Sequence, residues 1–173
     1  MKRFLLFTTI ILTALTVSAQ IKCIEFLGIP FNVSYETFVD KLKSKGFTQN
    51  MYYERCFDGI IYERIVGVSV YPSSDSNEIE NVAVYFTFPE EIFMHSFYND
   101  VKVKLSEEYK ENYMKETMVQ ENSFPCFHIY LRKDKEDKEV DINRIYGTIT
   151  VLQDKVGEDK QINQLTILYG RVK

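Results

Sequence analysis

Residues 79–88, IENVAVYFTF, set Val82, Val84, Phe86 and Phe88 on one parity. Successive side chains of a β-strand point to opposite faces, so this stretch predicts a strand with one buried face. The pattern recurs along the chain. Residues 60–71 put Ile60, Tyr62, Val66, Val68 and Val70 on one parity, residues 124–133 put Phe127, Ile129 and Leu131, and residues 161–170 put Leu165, Ile167 and Tyr169. These segments are rich in β-branched and aromatic residues, which suit a pleated, half-buried surface. Residues 144–153 form a further expected strand, joined to the last around Gly157, and residues 48–57 a weak one. Asp58-Gly59 is a hairpin signal.

Two segments carry helical periodicity instead. Tyr35, Phe38, Val39 and Leu42 follow the i, i+3, i+4, i+7 spacing of one helical face. Ser34 is suited to cap that helix and Gly46 to end it, with Phe47 folding back beyond. Glu36 and Asp40 lie early and Lys41, Lys43 and Lys45 late, matching the helix dipole. Pro89 opens a second expected helix, about residues 90–114, with Met94, Phe97, Tyr98, Val101, Leu105 and Tyr109 as its apolar stripe. The expected order is α-β-β-β-α-β-β-β, which points to a duplicated αβββ unit. Grouped strands and intervening helices indicate an α+β fold, an antiparallel sheet with two helices packed on it.

Residues 1–20, MKRFLLFTTIILTALTVSAQ, have the form of a secretory signal: Lys2 and Arg3, then an apolar run, then Val17-Ser18-Ala19. Cleavage is expected after Ala19. The run is shorter than the about 20 residues a membrane span needs. Residues 20–173 then form a single expected domain. The formal charge of −4 becomes more negative once Lys2 and Arg3 leave, which sets the chain against nucleic acid and anionic membrane. Cys23, Cys56 and Cys126 are an odd set in an exported chain, so at most one internal disulfide is expected, and their spacing fits no zinc pattern.

Phe26, Gly28, Ile29 and Pro30, then Phe38, Leu42, Lys45, Gly46 and Phe47, resemble the opening of small exported proteins of gut-dwelling Gram-negative anaerobes. The resemblance continues through Val82-Ala83-Val84-Tyr85-Phe86 and Leu105-Ser106-Glu107-Glu108-Tyr109. It implies an architecture similar to β-lactamase-inhibitor-protein-like folds and to small outer-membrane-assembly lipoproteins, which act by binding proteins. The chain departs from the commoner pattern at Asn32-Val33, where glycine is usual. It also lacks the lipid-attachment cysteine, which sets it apart from the assembly role.

No catalytic, cofactor-binding or metal residue is assigned from the sequence. Cys126 and His128, at i and i+2 on a strand, share a face but stand roughly 6.5–7 Å apart along the backbone, with no third group to orient them; neither is expected to be catalytic. His95 and Asn99 make no zinc site. Glu90, Glu91, Glu107, Glu108 and the acids of residues 134–141 are expected on solvated surface, and Gly28 belongs to no phosphate loop. Asn32-Val33-Ser34 fits a glycosylation sequon but is taken as helix capping. Tyr52, Tyr53, Tyr62, Tyr71, Tyr85 and Tyr130 fall in expected strands, and some must face away from the helices, where tyrosine serves binding surfaces. The expectation is an exported, non-enzymatic module that contacts a protein or glycan through a sheet face, without cofactor. The competing one is a small envelope hydrolase using carboxylates or the Cys126–His128 pair.

Overall fold

The computed structural model describes residues 23–118, 124–133, 145–157 and 161–172. The expected signal peptide and the acidic run of residues 134–141 lie outside them.

Leu27 and Gly28, both at positive φ (53° and 70°), turn two short strands, β1 (Glu25–Phe26) and β2 (Ile29–Pro30), into a small hairpin. Phe26 and Ile29 are buried, and Phe26 meets Tyr169 edge-on at 5.2 Å. The motif that opens the described chain is thus a plug for the core. Helix α1 (Tyr35–Ser44) follows, with the Ser34 hydroxyl accepting from the Thr37 amide at 3.3 Å. At its end Phe47 N–H donates to Leu42 and Gly46 N–H to Lys43, with Gly46 at φ +90°. That pair of bonds is a Schellman cap, which needs a left-handed residue at the Gly46 position.

Next come β3 (Thr48–Gln49), β4 (Cys56–Ile61), β5 (Arg64–Pro72) and β6 (Ile79–Phe88). Helix α2 (Glu91–Glu108) crosses over and leads into β7 (Tyr113–Met118), β8 (Pro125–Arg132), β9 (Ile145–Val156) and β10 (Ile162–Arg171). The eight strands form one antiparallel sheet in the order β3-β4-β5-β6-β10-β9-β8-β7. The fold is α+β, with two helices and a large antiparallel sheet among the described residues. No helix among the described residues is long and apolar enough to cross a membrane.

Both helices serve the same face. One row of that face runs Phe57, Val68, Val84, Ile167, Val151, Phe127 across β4 to β8, all buried. Helix α2 lays Met94, Phe97, Tyr98, Val101 and Leu105 against β6, β9 and β10. Phe38, Val39 and Leu42 of α1 join the same continuous core.

Several expectations are corrected. Each helix is followed by four strands, not three. The second helix stops at Glu108, where Asn112 Nδ2 donates to the Tyr109 carbonyl at 3.2 Å. The unforeseen strand β7 is an edge strand whose side chains are half-buried or exposed, so it leaves little apolar period. Residues 60–71 are not one strand. They break at Tyr62-Glu63, both at positive φ (51° and 61°), and Ile60 points away from the core at 70% exposure. Asp58-Gly59 is no turn but the middle of β4, where Gly59 lies under Phe47. Tyr52 and Tyr53 lie in the loop before β4 and are exposed, not in a strand. Tyr62 faces the helices and stacks on Phe86 at 6.4 Å.

Candidate functional site

Among the described residues no helix packs on the other face of the sheet. Pairing register places three rows of side chains across it. One runs Cys56, Ser69, Ala83, Leu168, Thr150, His128, Lys115. A second runs Asp58, Gly67, Tyr85, Thr166, Leu152, with the Cys126–Thr117 pair on the same face beyond it, and a third Tyr71, Asn81, Gly170, Thr148, Tyr130, Tyr113. Asp58 and Lys115 are the acidic and basic residues of these rows, and they stand at opposite margins. Charged residues make up 27% of the chain, so their near absence from the interior of this face is a distinct patterning. Hydroxyls, tyrosines and small apolar groups fill it instead.

Two clusters are built into the face. In the first, the Tyr85 phenol lies near Tyr71 and Ser69, and burial raises it above the ordinary value. Ser69 Oγ also lies 3.1 Å from Cys56 Sγ.

The second cluster overturns the expected separation of Cys126 and His128. Cys126 Sγ lies 3.2 Å from His128 Nε2. Strand side chains lean along the strand as well as standing off it, so their ends close a gap that their Cα atoms leave open. A third group is also present: His128 Nδ1 lies 3.1 Å from Thr150 Oγ1, and Thr117 Oγ1 is 3.1 Å from Nε2. Sequence reasoning missed both threonines, because their proximity comes from register across β7, β8 and β9. Burial raises the Cys126 thiol, and burial, with Lys115 second, lowers the His128 imidazole. Both shifts favour the neutral pair. An activated cysteine needs the reverse, a thiolate beside a cation.

The remaining candidates disperse. His95 is on the helix side, where Nδ1 lies 2.6 Å from Gln153 Oε1 and Nε2 3.2 Å from Glu91 Oε1, tying α2 to β9. Lys155 meets the same Glu91 at 2.8 Å, and those two partners, Lys155 first, lower its carboxyl. Glu90 and Glu91 sit at one end of α2 and Glu107 and Glu108 at the other, roughly 25 Å away at 1.5 Å per residue, so they are not opposed across a cleft. Glu116, not singled out from the sequence, accepts from the Tyr98 hydroxyl at 2.7 Å and from Lys102 at 2.6 Å on the helix side. All three cysteines are unpaired. Among the described residues no three His, Cys, Asp or Glu side chains gather as a metal site would require.

Beside the face, the loop from Asn50 to Arg55 presents Met51 and Tyr52 to solvent at 83% and 81% exposure. It is nonetheless ordered. Asn50 N–H donates to Cys56 O at 2.8 Å, Tyr52 N–H to Asn50 Oδ1 at 2.9 Å, and Gln49 Nε2 to Glu54 O at 2.9 Å. Near Tyr71, the β5–β6 turn and the end of β10 enclose a recess of about 430 Å³, lined by residues including Ser73, Glu78 and Arg171, the last two forming an ion pair.

No protein-family profile, no curated protein and no solved structure matches the chain.

Proposed function

We propose that this chain is an exported binding module without catalysis of its own, which holds a protein or glycan partner against the helix-free face of its sheet. The observation that carries the reading is the composition of the three rows across that face: four tyrosines and a field of threonines, with Asp58 and Lys115 as their charged residues, at the margins. Depletion of charge and enrichment in tyrosine are the compositional marks of an interface core. Export rests on residues 1–19, and N-terminal sequencing of the exported protein should begin at Gln20. A retained Met1 would remove that part of the reading.

The two halves support a duplicated unit, now of one helix and four strands. The sheet centre is Val84 opposite Ile167, and outward from it Val68 corresponds to Val151 and Phe57 to Phe127. In the same registration Cys56-Phe57 matches Cys126-Phe127, and Phe86 matches Tyr169. The helices agree as well, Tyr35, Lys41 and Leu42 against Tyr98, Lys104 and Leu105. Membership of the exported family stands with this as part of the proposal, resting on the motif residues.

One observation favours the hydrolase reading, the 3.2 Å contact of Cys126 and His128. The direction of both pKa shifts counts against it.

The face can be tested by immobilising the protein and exposing it to envelope extract. Leu168→Arg, at the centre of the face, should abolish capture of a partner that wild type retains. Lys43→Glu, on α1, should leave capture intact. Equal capture by both variants refutes the face as the binding surface.

A further inference from the structure

The β4–β5 hairpin contains a glycine that its own fold does not require. Gly67 lies in the middle of β5, and a Cβ there would meet only the Tyr85 ring, at an ordinary 3.8 Å. Nor does it have the positive φ that would call for glycine. Glycine inside a strand weakens it and marks places where another molecule approaches the backbone. Gly59, on the same hairpin, is different, because Phe47 fills the space above it.

Around Gly67 the helix-free face forms a notch one side chain wide. Asp58 stands across from it on β4 and Tyr85 on β6, with Ile65 two residues back along β5. Ile65 and its cross-strand partner Ile60 are 82% and 70% exposed, large aliphatic side chains with little of their own to cover. The half-buried Tyr85 ring forms one wall, its Cδ2 3.8 Å from where a Cβ at Gly67 would stand. Asp58 is positioned by Asn50, whose Nδ2 donates to Oδ2 at 3.0 Å.

We propose that this notch receives a lysine or arginine side chain of a partner protein, its stem against Ile60, Ile65 and Tyr85 and its cationic head on Asp58. The inference rests on the helix-free face being the binding surface and names what one part of it grips. Long cationic side chains bury their methylenes on apolar surface while the head stays at the polar margin. A carboxylate already oriented by a neighbour gives that head a charge-assisted hydrogen bond. Sugar hydroxyls would meet Ile60 and Ile65 where they need acceptors, so the notch fits a protein rather than a glycan.

The test is a titration of ¹⁵N-labelled protein with the Nα-acetyl methylamides of lysine and arginine, read from amide chemical shifts. The norleucine analogue and a methyl galactoside serve as comparisons. Saturable shifts at Asp58, Ile65 and Gly67 are expected with a cationic probe and not with the others. Asp58→Asn should weaken binding about tenfold or more, the loss of one charge-assisted contact. Gly67→Val, a residue strands favour, should fill the notch and abolish the shifts while the rest of the spectrum holds. Absence of saturation with both cationic probes, equal response to norleucine or galactoside, or unchanged binding in either variant overturns the proposal. Failure here with capture still lost in Leu168→Arg removes the notch and leaves the face; the reverse removes the face.

Discussion

The ring of Phe47 lies on the bare backbone of Gly59: a Cβ at that position would sit 2.2 Å from Phe47 Cδ1. Phe47 is itself buried at the turn that closes α1, so the contact locks the first helix to β4. Gly59→Ala should therefore destabilise the fold by about 1–3 kcal/mol, the usual cost of overpacking. Gly67→Ala, on the same hairpin and free of that clash, should shift stability by less than about 1 kcal/mol, in the stabilising direction. Chemical denaturation of the two variants checks this, and matching midpoints would show that Phe47 yields at no cost.

Leu42 is fully buried on the inner face of α1 and Lys43, next to it, is exposed. Leu42→Ala should cost about 2–5 kcal/mol. Lys43→Ala should cost under about 0.5 kcal/mol. Urea midpoints at equal denaturant slopes give the comparison, and similar losses would mean the helix is docked by another face.

The neutral Cys126–His128 pair should show itself in thiol chemistry. Burial raises the Cys126 thiol above its ordinary value of 9.0, so alkylation of Cys126 should accelerate only at alkaline pH. His128→Ala should leave that profile without a neutral-pH component. A thiolate already present near pH 7 in wild type and lost in the variant would bring the hydrolase reading forward.

His128 also makes stability depend on pH. Burial, and then Lys115, hold its imidazole below the ordinary value of 6.5, so the unfolded chain binds this proton more readily than the folded one. The stabilisation from the neutral ring is complete above pH 6.5 and is lost as pH falls through the lowered folded value. Denaturation midpoints should decline between about pH 7 and pH 5 in wild type. The decline should be shallower in His128→Gln. An equally steep fall in the variant would assign it to other groups.

Much of this architecture could be read from the chain because local pattern and global role coincide. The stripe of α1, its Ser34 and Gly46 caps, and the inward sets Val82 to Phe88, Phe127 to Leu131 and Leu165 to Tyr169 are each fixed by spacing within one element. The failures lie where spacing is silent. Tyr62 and Glu63 form a left-handed turn without glycine or asparagine, held in part by Tyr62 packing on Phe86 and Phe97. Strand β7 sits at an edge and buries too little to alternate. The candidate face was legible only as an excess of tyrosine. That Tyr71, Tyr85 and Tyr130 share it, that its charges stand at the margins, and that Thr150 and Thr117 reach His128 all depend on register between strands distant in sequence.

That register has a kinetic side. Within each half, neighbouring strands follow one another along the chain and can pair as soon as both exist. The seam between β6 and β10 is different, because it joins Val84 to Ile167 and closes a loop of about eighty residues. Non-local pairing of this kind is slow. Until it happens β6, the most apolar strand, keeps one backbone edge open, a site at which chains can pair with each other instead. A cell making this protein must therefore shield the first half while it waits for its second, and the vulnerable interval ends only when the last described strand arrives.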